Sequence, residues 1–170
     1  MGSIGGGALQ AVGTKTQEVA KAIEDLKNLS FISNNTPIVM PTGTILANPM
    51  ILALWKFDKN GATPVTYSFG RASSIISAHV RRTAGTGNVI CGLASSPDNS
   101  SWTVLTSLGS TSATFVSSVS ISSMTQFSSN MEFVAVILYS NNADTSAEIK
   151  NITGQLQTIL PKGWILEKLV

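Results

Sequence analysis

Beyond residue 37 no stretch of the chain repeats its apolar residues at helical spacing, and this constrains the fold more than any single motif. After Asn34-Asn35-Thr36-Pro37 the chain becomes a series of short runs rich in Val, Ile, Thr, Phe and Tyr. The runs fall at 38–46, 50–57, 65–69, 73–82, 88–95, 102–107, 113–121, 131–140, 148–160 and 164–169, and each reads as a strand. Between them stand turn signals: Asp58-Lys59-Asn60-Gly61, Gly85-Thr86-Gly87, Ser96-Pro97-Asp98-Asn99, Asn141-Asn142-Ala143-Asp144 and Pro161-Lys162-Gly163. Asn and Asp side chains bond their own backbone, Pro fixes φ, and Gly reaches positive φ without strain. Many short strands with no helix between them predict an all-β domain over 38–170, an antiparallel β-sandwich of jelly-roll-like type.

One strand carries more information than the rest. In 133–139, Phe133, Ala135, Ile137 and Tyr139 fall on one face and Val134, Val136 and Leu138 on the other, so both faces are apolar. Such a strand belongs in the middle of a sheet or under a subunit contact. The stretch 106–129 is dominated by Ser and Thr instead, with Phe115, Val119, Ile121 and Phe127 as inward anchors, and reads as outer strand and loop.

The N-terminal region has a different period. Leu9, Val12, Thr16, Val19, Ile23 and Leu26 alternate three and four residues apart, which places them at the a and d positions of a heptad. A helix over 8–30 is too short to be stable alone, so the seam predicts a coiled coil of identical chains. Small residues at Gly13, Ala20 and Ala22 and the added Leu29 broaden the face and favour three strands, a homotrimer. The alternative, one amphipathic helix lying across its own β domain, predicts a wider apolar stripe. Residues 31–37 read as a linker. Residues 1–7, with Gly5-Gly6-Gly7, read as a flexible or docking segment.

Composition supports assembly. Charged residues make up 12% of the chain, about half the usual share of roughly 25%, and the mean hydropathy is +0.24. The polar surface is therefore built from Ser, Thr and Asn, and sister chains are expected to cover part of it. The net charge of +2 is scattered, with Arg81-Arg82 the only basic doublet, which excludes a nucleic-acid footprint. The most apolar window, 50–55, is far short of the ~20 residues that cross a bilayer, so no membrane insertion is expected. The first residues lack the basic and apolar regions of a secretory signal.

Catalytic chemistry is sparse, and the chain is not expected to be an enzyme or to need a cofactor. His79 is the single histidine and alternates with Ser77 and Arg81 on a polar face; Cys91, the single cysteine, sits in an apolar run as a small hydrophobe. Neither completes a metal site. Glu132, Asp144 and Glu148 show no ligand or acid–base spacing.

The residues 95–105, Ser-Ser-Pro-Asp-Asn-Ser-Ser-Trp-Thr-Val-Leu, resemble the strand-turn-strand of discoidin-like, galactose-binding-like sandwiches, and 132–138 resemble the strand that follows there. The resemblance implies a ligand site at Asp98, Asn99 and Trp102, with Trp102 a stacking platform for a sugar. The residues themselves favour a hairpin turn closed by Asp98 and Asn99 and an inter-sheet core place for Trp102. The sequence lacks the arginine usual in the later strand and has Asn99 where glycine is common. In its architecture the chain also resembles bacteriophage fibre, tail-spike-base and capsid-decoration proteins. That likeness implies a virion location, contacts to other virion proteins through the N-terminal segment, and binding of cell-surface carbohydrate. Capsid cement protein and free carbohydrate-binding module are the alternatives.

Overall fold

Two antiparallel sheets face one another in the computed structural model, which describes residues 30–32, 36–59, 69–121, 125–161 and 163–170 of the 170. The strands are β1 (Ser30–Ile32), β2 (Ile38–Met40), β3 (Met50–Asp58), β4 (Phe69–Ala84), β5 (Val89–Ser96), β6 (Thr103–Ser110), β7 (Val116–Ile121), β8 (Thr125–Ser128), β9 (Phe133–Ser140), β10 (Ser146–Ile159) and β11 (Ile165–Lys168). Sheet A has the order β1-β10-β4-β7, with β2 also on β10 and β8 also on β4; sheet B has the order β11-β3-β9-β5-β6. The all-β expectation holds for every described element.

The core lies between the sheets. From sheet B it takes Trp55, Phe57, Leu93, Val134, Val136 and Leu138, and from sheet A Ala72, Ile76, Val80, Phe127, Ile149 and Leu156. Phe57 stacks on Phe127 with centroids 5.0 Å apart and meets the Trp164 ring at 5.5 Å. The edge-to-edge joins between the sheets are polar. Asp144 accepts from the Thr86 amide at 3.1 Å and the Thr86 hydroxyl at 2.9 Å, and Thr145 Oγ1 accepts from the Gly87 amide at 2.8 Å. These bonds knit the β4–β5 loop to the β9–β10 loop, and Gly85, at φ +90°, lets the backbones approach.

Several boundaries differ from those expected. The strand expected over 38–46 stops at Met40, because Pro41 has no N–H to continue a ladder and Gly43, at φ +82°, turns the chain. Ser30–Ile32, expected to end the helix and open the linker, pairs with β10 opposite Thr153 to Gln155. Phe31 and Ile32 are good strand formers beside an edge of β10 that β2 leaves open. Thr125–Ser128 adds a short strand, β8, where loop was expected. Residues 8–29 of the helix expected over 8–30, with its seam residues Leu9, Val12, Thr16, Val19, Ile23 and Leu26, and the segment 1–7 lie outside the described residues, as do 33–35 of the linker and most of the strand expected over 65–69.

Candidate assembly and binding faces

Sheet B is apolar on both sides. In β9 the inward residues are Val134, Val136 and Leu138, while Ala135, Ile137 and Tyr139 belong to a second cluster on the opposite face, as the alternation predicts. In β3 the pairing with β9 slips between Ile51 and Ala53, and this bulge turns Ala53, Trp55 and Phe57 inward and leaves Ile51 and Leu54 outward. In β5, Val89, Cys91 and Leu93 point inward, and Ile90 and Ala94 outward.

The outer cluster has a fully buried centre, Ala135 and Ile137 at 0% exposure, with Leu54 at 7%, Tyr139 at 8% and Ala94 closed in beside them. Packed against it are Leu46, Ile51, Ile90, Trp102, Val104 and Phe133, each only partly buried. These six form the layer that meets the surroundings: a platform with two aromatic anchors and no charged member. Burial raises the Tyr139 hydroxyl pKa above its ordinary value, the expected effect of an apolar setting.

Charge gathers at one end of the platform. A cleft of about 330 Å³ is lined by Lys56, Phe57, Asp58, Lys59, Glu132 and Glu167. Lys59 Nζ donates to Glu132 Oε1 at 2.6 Å and to the Ser129 carbonyl at 2.9 Å, and lies 4.6 Å from the Trp164 ring centre. Lys56 sits opposite Glu167 in the β3–β11 register, with its Nζ 6.0 Å from the Phe133 ring centre. Apolar centre and charged margin together have the anatomy of a protein interface.

The three residues singled out by resemblance take separate parts. Asp98 Oδ1 accepts from the Ser101 amide at 2.7 Å, the Ser100 amide at 2.9 Å and Ser96 Oγ at 3.0 Å, and Oδ2 accepts from Ser101 Oγ at 3.1 Å. The Ser101 and Ser100 amides, chiefly, hold this carboxyl well below the usual carboxylate range. Both oxygens are thus engaged in closing their own turn. Asn99 stands at φ +61°, a left-handed position that asparagine tolerates. Trp102 leaves the turn onto the outer platform of sheet B, not into the space between the sheets as the core reading expected. Ile51, Leu54, Ile90 and Val104 carry little signal of their own, because their facing depends on the bulge and on which strands flank β9.

The outer face of sheet A is polar. Arg81 Nη2 donates to Glu148 Oε1 at 3.0 Å, and Phe115 lies against both Arg81 and Lys150. Asn151 Nδ2 lies 3.4 Å from His79 Nδ1. The register with β4 places Ser117 opposite His79, so Phe115, expected as an inward anchor, belongs to this outer face, whereas Phe127 is in the core. Glu132, Asp144 and Glu148 each have a different partner: Lys59, Thr86 and Arg81. Cys91 is buried in the core, and burial pushes its thiol up to about 12. Among the described residues no group of three or more His, Cys, Asp and Glu is placed to hold a metal ion, and no helix is long and apolar enough to cross a membrane.

No known protein family matches the chain, and no curated protein matches its sequence. Among solved structures it is similar to the Yersinia pseudotuberculosis-derived mitogen, with TM-score 0.28 and 7% identity over 79% of this chain and 94% of that one. It is also similar to the CBM22-1-GH10 modules of the Clostridium thermocellum endo-1,4-beta-D-xylanase 10B complexed with xylohexaose, with TM-score 0.34 and 7% identity over 69% of this chain and 29% of that one.

Proposed function

We propose that the chain is a non-enzymatic subunit of a homotrimeric virion appendage, joined to its copies through residues 8–30 and the outer face of sheet B, and carrying a saccharide-binding surface toward a host cell. The observation that carries the assembly half is the half-buried apolar layer of Leu46, Ile51, Ile90, Trp102, Val104 and Phe133 over a second cluster, on a sheet whose other face already fills the core. A free-standing sandwich needs one apolar face per sheet; a second, capped by half-buried aromatic residues and bordered by charge, suits a surface that another chain covers. The scarcity of charge in the whole chain points the same way.

Strand order adds an argument of fold alone. Strands β2 to β5 alternate between the sheets, and the runs β2-β10-β4-β7 and β3-β9-β5-β6 are the two halves of a jelly roll. That architecture serves viral capsid and lectin domains, an analogy that agrees with both halves of the proposal. Three copies of one weak site gain strength by avidity on a repetitive glycan. A capsid cement protein is the second reading, favoured by the same platform if it packs on a shell.

Light scattering on the full chain tests the proposal. The expected mass is about three times 17.8 kDa, and Ile23→Asp is expected to give monomers with an intact β circular-dichroism spectrum, since it buries unpaired charges in the seam. A wild-type monomer overturns the assembly reading.

A further inference from the structure

We infer that the solvent face of sheet A binds an acidic saccharide, its anionic group held by Arg81 and Lys150 and its ring lying against Phe115. This deepens the binding half of the proposal above and rests on it. The register aligns Glu148 with Arg81, and Lys150 with His79 and then Ser117, so three adjacent strands contribute to one polar patch. Phe115 immediately precedes Val116, the partner of Val80, which sets it beside Arg81. From there its ring centre lies 4.6 Å from Arg81 Cζ and 4.2 Å from Lys150 Nζ, although β4 separates β7 from β10. The ring therefore lies along the sheet rather than standing away from it, in the posture of a stacking surface.

The charges do not cancel. Two cations face one carboxylate, Glu148, which is bound at 3.0 Å to Arg81, and Lys150 has no ion pair among the described residues. Attraction to the ring face keeps both cationic groups in place before any ligand arrives. Asn151, at φ +53° in the bulge between Lys150 and Thr153, places its amide nitrogen 3.4 Å from His79 Nδ1. With that nitrogen accepting, the ring proton sits on Nε2 and adds a donor beside the cations. A preset pair of cations, an aromatic face and neutral donors within a few residues match a sugar bearing one carboxylate or sulfate. The patch does not continue as a stripe, since Arg82 Nη1 is engaged by the Gly87 carbonyl, so it lacks the repeated phosphate contacts that a nucleic acid requires.

The test is an NMR titration of the full chain with trigalacturonate, a sulfated heparin disaccharide, maltotriose and oligothymidylate, with the mass of the same sample measured by light scattering. Saturable shifts around Phe115, Lys150 and His79 are expected with one or both acidic saccharides, the stronger of the two identifying carboxylate or sulfate, and none with maltotriose. Lys150→Gln is expected to weaken that binding about tenfold or more, the scale of a lost charge-assisted hydrogen bond. It removes no ion pair within the described chain, so folding is retained; Phe115→Ala should weaken it independently. Absence of shifts with both acidic saccharides, equal binding of maltotriose or oligothymidylate, or unchanged affinity in both variants overturns the inference. A trimer that ignores the acidic saccharides refutes this site and leaves the assembly reading standing, whereas a monomer that binds them does the reverse.

Discussion

Replacing Ile137 and its neighbour Leu138 separately by alanine measures whether sheet B is buried on both faces. Both side chains have 0% exposure, but Leu138 lies in the core between the sheets and Ile137 in the outer cluster. Each substitution removes three carbons, about 2.4 kcal/mol at roughly 0.8 kcal/mol per buried methylene, before any cavity left behind is counted. Ile137 is flanked across the sheet by Ile51 on one side and by Gly92 on the other. Gly92 has no side chain with which to fill the void, so the cavity contribution stays and the total comes to about 3 kcal/mol, close to that at Leu138. For a chain of this size that lowers the melting temperature by roughly 6–12 °C. Urea unfolding followed by circular dichroism, with the slope checked for constancy, reads both values. Repeating the series at several protein concentrations separates covers: a midpoint that rises with concentration identifies copies as part of the lid, and a constant one identifies the same chain. A loss at Ile137 below about 0.5 kcal/mol, the range of an ordinary surface site, refutes the reasoning.

Other consequences concern the loops and the core. Gly85→Ala places a Cβ 2.5 Å from the Asp144 carbonyl oxygen and 2.5 Å from Thr145 Cα, at φ +90°; a loss of about 2–4 kcal/mol in thermal unfolding is expected, and a near-neutral result contradicts the knitted loops. The Asp98 carboxyl is held below its ordinary value of about 3.9 in the folded chain, so its contribution to stability is present above that pH and is lost as pH falls below it. Asp98→Asn should therefore flatten the decline in urea midpoint between about pH 5 and pH 2, with Asp144 still contributing the same sign; an unchanged slope rejects the turn as the source. Cys91, pushed up to about 12 by burial, should resist iodoacetamide in the native chain and react on unfolding, and rapid native labelling contradicts its place in the core.

The sequence disclosed what depends on neighbours along the chain. Alternation in 133–139 marked a strand with two apolar faces, at home in mid-sheet or under a subunit contact, and β9 lies mid-sheet; Asp98 and Asn99 marked a turn that the Asp98 carboxylate closes by accepting from the Ser100 and Ser101 amides. What it withheld depends on pairing between distant strands. Phe115 looked like a core anchor within a weakly patterned Ser/Thr segment, and only the register of β7 against β4 assigns it to the outer face. Trp102 followed a turn into a strand, but which side of sheet B it would occupy was fixed by β5 and β9 together. The bulge in β3 had no punctuating Gly or Pro in Ile51-Leu52-Ala53, so the outward facing of Leu54 was not legible either.

The platform of sheet B is tested most directly by photo-cross-linking from one of its two aromatic anchors. With a benzophenone amino acid in place of Phe133, brief irradiation at a concentration where the chain is assembled should yield covalent dimers and trimers on a denaturing gel. The same substitution at Thr153, an exposed residue on sheet A, should yield single chains. If position 133 cross-links only within its own 17.8 kDa chain, the outer face of sheet B is not where copies of this protein meet.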